Sequence, residues 1–93
     1  VDVDDDCLVK VGSATPPQAV ASSIVKLLLD RATYPVVRAV GAGAVNQACK
    51  GIAIARSQIA LKGIDLGCGI GFDSIRGDQG QEISAQVFHL YKR

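Results

Sequence analysis
The chain is poor in the residues that carry catalysis. In its 93 residues His89 is the only histidine and Glu82 the only glutamate. His89 stands among apolar neighbours, so a packed or edge histidine in a strand is the expected role. No carboxylate pair has the spacing for acid–base work, and Ser22-Ser23 falls within a helical stretch with no base nearby. Cys7, Cys49 and Cys68 are odd in number and lack metal-ligand spacing. All three sit in apolar runs, so they are expected to be small core residues, which fits a reducing compartment. No metal, cofactor or enzymatic activity is therefore expected. No apolar run approaches the roughly 18 residues that span a bilayer, and no secretory leader is visible. A cytoplasmic chain with no membrane partner is expected. The formal charge of +1 neither calls for a polyanion partner nor excludes one.

What the chain does have is apolar content sufficient for one domain with a modest core. Its organising stretch runs from Val36 to Arg56. Val36, Val37 and Val40 are β-branched and suit a strand. Gly41 and Gly43 allow a tight turn. Val45, Ala48, Cys49, Ile52, Ala55 and Ile59 then follow a helical rhythm. Such a junction points the bare N–H groups of a helix start at whatever lies beyond the sheet edge.

Taken in order, residues 1–6 hold four aspartates. They lack the further ligands of a calcium loop and read as a solvated tail or linker end. Residues 7–93 form the domain. Cys7–Val11 is the first strand, and Ser13–Gln18 starts the first helix, with Thr15 and Gln18 spaced as a capping box. That helix runs to about Asp30, burying Val20, Ile24, Leu27 and Leu28. Val36–Val40 is the second strand, and the second helix runs from about Ala44 to Leu61. Ile54 beside Gly51 is expected to be exposed, either as a self-association surface or as ordinary surface scatter. Ile64, Leu66, Cys68, Ile70 and Phe72 alternate with Asp65, Gly67, Gly69, Gly71 and Asp73, as in a strand with one apolar and one nearly bare face. A short hairpin with its turn at Asp78-Gln79-Gly80 leads to the last strand. The order is β-α-β-α-β-β. Right-handed crossovers put both helices on one face of the sheet and leave the other open. Parallel first and second strands bring the two helix starts, Ser13–Gln18 and Gly41–Gln47, to one edge, which favours an anion such as phosphate.

Two motifs fail on context. Asp65–Gly71 matches the D-x-G-x-G-x-G of methionine-nucleoside-dependent methyltransferases, but a hairpin follows it where that fold needs more strands and helices. Gly41-Ala42-Gly43-Ala44-Val45-Asn46 nearly matches the dinucleotide fingerprint, but Asn46 replaces its last glycine. Asp65 also lies at the wrong end of its strand to reach a ribose.

Thr15-Pro16-Pro17-Gln18-Ala19-Val20-Ala21, the run Ala39–Ala48, Lys50 and Ala53-Ile54-Ala55-Arg56 resemble the stage V sporulation protein S family, from about Leu8 to the C-terminus. That family is intracellular and tied to the regulation of spore development. The resemblance implies an Alba-like α+β fold of two layers, with a mixed four-stranded sheet in the order 1-2-4-3, usually dimeric. Alba proteins bind DNA or RNA through basic residues in the loops before both helices and on a long hairpin arm. Here Ser13-Ala14-Thr15 has no lysine, Val40–Gly43 has no arginine, and the hairpin's basic residue, Arg76, stands among Asp73 and Asp78. Binding should then be weak and salt-sensitive, because phosphate contacts need positive charge. Ser13, Thr15, Gly41, Gly43, Asn46 and Gln47 are the candidates to cradle phosphate. Lys10, Lys50, Arg56 and Arg76 would supply charge, though Asn46, Gln47, Lys50 and Arg56 also fit an ordinary polar helix face. The alternative is a self-assembling scaffold, a homodimer or higher oligomer, that uses Ile54, Gly51 and the glycine face or takes a protein partner. A nucleotide sensor at the paired helix starts is a third reading.

Overall fold
The computed structural model describes residues 2–3 and 7–93. The expected acidic tail falls largely outside them; its described part is a short strand, β1 (Asp2–Val3), paired antiparallel with β2 (Leu8–Val11). Helix α1 (Pro17–Arg31), strand β3 (Val36–Ala39), helix α2 (Ala42–Ala60) and strands β4 (Leu66–Arg76) and β5 (Glu82–Lys92) follow. The sheet order is β1-β2-β3-β5-β4. Without the two-residue edge strand this is the mixed four-stranded sheet in the expected 1-2-4-3 order. β2 and β3 are parallel, while β5 runs antiparallel to both β3 and β4.

Both helices cover one face. The core lies between them and Val9, Val37, Phe88 and Leu66, closed from above by Val20, Ile24, Ala48, Ala55 and Ile59. The α2 stripe of Ala44, Ala48, Gly51 and Ala55 is small throughout, so α2 can lie close against both α1 and the sheet. The cysteine expectation holds only in part. Cys7 is buried and Cys68 half-buried, but Cys49 is exposed, because it stands one residue beyond that inward stripe.

The hairpin corrects a second expectation. It is long, not short. β4 and β5 pair without interruption from Leu66↔Lys92 to Arg76↔Glu82, and Ile75 stands opposite Ile83 beyond the predicted strand end. β3 stops at Ala39↔Gln86, so the pairs from Asp73↔Ala85 to Arg76↔Glu82 project as an arm. The amide of Gly77 donates to the Gln81 carbonyl at 2.8 Å, and Gly80 turns the chain at φ 79°. The projecting arm accounts for the elongated 44 × 22 × 20 Å shape.

β4 is an edge strand, and its apolar row is covered only where the helices reach it. Leu66 is 2% exposed, whereas Ile70 is 71% and Phe72 78% exposed. Alternation told which side these residues share, but not where the cover ends.

Candidate functional site
The parallel strands β2 and β3 deliver the chain to one rim of the sheet, where both helices start. In the first loop the Gly12 amide donates to the Thr15 hydroxyl at 2.9 Å, and the Thr15 amide donates back to the Gly12 carbonyl at 3.1 Å. The Thr15 side chain thus closes a turn and caps nothing. Pro16 is the N-cap of α1, with ψ 137° and no side-chain capping bond. The capping-box expectation fails for a steric reason: Pro17 at the first helical position excludes the helical conformation for Pro16 and moves the boundary past Thr15. Two consecutive prolines also remove two N–H groups, so α1 offers an anion less than an ordinary helix start does.

Helix α2 is better suited to an anion. It begins at Ala42, earlier than expected, because Gly41 takes the N-cap at φ 89° and ψ 158°, a backbone open to glycine. Among the described residues no side-chain capping bond closes this end, and no acidic residue stands in its first turn. The positive end of the helix dipole is therefore left to solvent or a ligand.

The two starts touch. A Cβ added at Gly43 would lie 3.1 Å from the Ser13 Cβ. The Gln47 amide donates from Nε2 to the Thr15 carbonyl at 3.0 Å, tying α2 to the first loop. Ser13, Gly41, Gly43 and Asn46 are exposed around this junction, with Thr15 and Gln47 half-buried. The arm leaves the sheet beyond Ala39, at the same rim, since β5 continues past the carboxyl end of β3.

The charged candidates divide. Lys10 is exposed near the rim on the face away from the helices, because Val9 and Val11 point into the core. Its register partner is Arg38 on β3, which sequence reasoning did not single out. The signal was present: each residue stands one position before the end of its strand, shortly ahead of a glycine loop, and parallel pairing sets such positions side by side. Lys50 is exposed about 12 Å along α2 from its start, and Arg56 about 21 Å along. Arg56 faces Asp65 at 3.7 Å, and Arg93 faces the same carboxylate at 3.8 Å. Arg56 therefore belongs to the far end of the helix. Arg76 stands in the arm, paired in register with Glu82.

The expected interface pair is less exposed than the sequence suggested. Gly51 is buried against α1, and Ile54 is half-buried against the core. The room that a glycine leaves is filled within the chain by Val20. The apolar side chains left in water near the edge strand are Ile70 and Phe72.

The model of the family described as Stage V sporulation protein S matches residues 7–93. The chain belongs to that family. A solved structure, Alba from Thermoplasma volcanium, superposes with a TM-score of 0.64 over 92% of this chain and 99% of that one. At 18% identity this similarity establishes the Alba-like fold that the family resemblance implied. Among the described residues no helix is long and apolar enough to cross a membrane.

Proposed function
We propose that this member of the Stage V sporulation protein S family is a non-enzymatic, dimeric module that binds nucleic acid inside the cell in a regulatory role. The observation that carries the reading is the contact of the two helix starts across Gly43–Ser13 and Gln47–Thr15, on the rim from which the arm projects. The uncapped amides of α2 meet phosphate there, with Ser13 and Asn46 beside them and with Lys10, Arg38 and Lys50 nearby. Gln47 acts as a strut that holds the first loop in place. Thr15, likewise, shapes the loop more than it meets the ligand. The arm carries Asp73, Asp78 and Glu82 against Arg76, so it adds little attraction. Binding is accordingly weak and salt-sensitive.

The test is a salt-titrated binding assay with single- and double-stranded nucleic acid. Affinity falls steeply with added salt, and Lys50→Glu lowers it at every salt concentration. No detectable affinity at low salt would sink the proposal.

A second reading, a self-assembling scaffold, is supported by the exposed Ile70 and Phe72 on the edge strand. It shares the self-contact of the first reading and differs in needing no nucleic acid.

A further inference from the structure
The face of the sheet opposite the helices is laid out by register. Phe88 and Val37 point into the core, so the alternate residues of their strands point away from it. On β5 these are Val87, His89 and Tyr91, with Gly71, Gly69 and Gly67 of β4 directly beside them. Across from them Arg38 and Lys10 stand in one row.

His89 and Tyr91 are both exposed on this face. Tyr91 stays over its register partner Gly67, while His89 leans away from its partner Gly69 toward Gly71. The Tyr91 Cε2 atom lies 2.7 Å from the point where a Cβ on Gly67 would stand, so the ring covers Gly67. The His89 Nε2 atom lies 4.0 Å from the corresponding point at Gly71. Between them, no atom of the described residues lies within 4 Å of a Cβ built on Gly69. Side chains two residues apart on a strand stand ~7 Å apart, about twice the ~3.4 Å rise of stacked bases. One aromatic ring therefore fits between the tyrosine and the imidazole, resting on bare backbone. Arg38 lies on the diagonal from His89, a separation of about 7–8 Å that a long side chain bridges.

Resting on the nucleic-acid reading above, we propose that this face takes a base of a single strand, stacked between Tyr91 and His89 over Gly69, with the adjoining phosphate on Arg38 and Lys10. A duplex keeps its bases paired and stacked, so only an unpaired base enters such a slot. The rim would grip phosphates of either form. The sheet face adds the preference for single strands, with little sequence selectivity, because every base has a π-face.

Gly69 supplies the test. Its φ is not positive, and a side chain there meets open space. Gly69→Val therefore fills the slot without straining the fold, and valine suits a strand. Binding of a labelled oligothymidylate and of a labelled duplex of equal length is measured by anisotropy for the wild type, Gly69→Val, Tyr91→Leu and Lys50→Glu, with thermal melting as the fold control. Gly69→Val and Tyr91→Leu weaken single-strand binding about tenfold or more and leave duplex binding unchanged, whereas Lys50→Glu weakens both. If the duplex binds but both slot variants hold the single strand as tightly as wild type, the slot is refuted and the rim reading stands. Equal loss on both probes refutes a base-holding slot as well. If wild type binds neither probe, both proposals fall.

Discussion

A methyl group at Gly51 would lie 2.4 Å from the Cβ of Val20 and 3.1 Å from the Pro17 carbonyl oxygen. Here α2 lies directly against the first half of α1. The Val20 Cβ is fixed to its backbone and cannot swing aside. Alanine is otherwise the better helix former, by about 1 kcal/mol. Overpacking outweighs that here. Gly51→Ala is expected to lower unfolding free energy by about 1–3 kcal/mol in urea denaturation. Adding Val20→Ala to the same chain should not recover the loss, because alanine keeps the Cβ that the new methyl group meets. A Gly51→Ala protein as stable as wild type would show that the helices can part at no cost.

The end of α1 offers an opposite change. Ala32 takes the C-cap at φ 50° and ψ 34°, with its amide donating to the Leu27 carbonyl. Left-handed backbone costs an alanine roughly 1 kcal/mol and costs a glycine almost nothing. Ala32 is exposed, so no packing is lost with its methyl group. Ala32→Gly should therefore stabilise the protein slightly, by up to about 0.5 kcal/mol after glycine's greater unfolded-state entropy is counted. A lower melting temperature for this variant would contradict the geometry.

These two positions show what a linear reading could see. Element order, the open face and the meeting of the two helix starts were legible because they follow from period, glycine turns and parallel crossovers. The role of Gly51 was not, because a glycine on a helix looks the same whether its vacancy faces a neighbour in the same chain or one outside it. Thr15 misled for a similar reason. Its spacing to Gln18 fits a cap, but Pro17 overrides that spacing through the conformation it forces on Pro16. The arm was missed because polar Asp73 and Ser74 end the apolar alternation, although Ile75 and Ile83 resume it one position later on the other face. Arg38 was missed because its significance lies in its register partner, Lys10.

Burial pushes the Cys68 thiol up from its ordinary value, and the neighbouring Cys49 pushes it the same way. The folded state thus favours the neutral thiol. This contribution is fully present below the unfolded-state pKa, near 9.0, and is lost as pH rises through the higher folded value. At mildly alkaline pH the thiolate fraction of Cys68 is lower than that of an ordinary cysteine, and its half-buried sulfur is harder to reach. Iodoacetamide should therefore modify exposed Cys49 first and Cys68 about tenfold more slowly. Peptide mapping against time checks this. Equal rates would mean that β4 opens away from α2 on the timescale of alkylation.

Ile70 and Phe72 share one side of the edge strand and project over a stretch that neither helix covers. Phe72 sits where the sheet gives way to the arm, opposite Gln86, so folding of the single chain gives it no partner. Burying one such side chain is worth about 1.5–3 kcal/mol, and a symmetric dimer buries each of them twice. Ile70→Asp should therefore weaken self-association at least tenfold in sedimentation equilibrium, with Phe72→Asp acting in the same direction. Neither change should move the melting temperature of the monomer much, because both side chains are already in water there. The corresponding change at Ile54, which packs on the core, should cost fold stability instead. If the wild type sediments as a monomer at all concentrations, or if Ile54→Asp dissociates the assembly while Ile70→Asp and Phe72→Asp do not, the contact lies elsewhere.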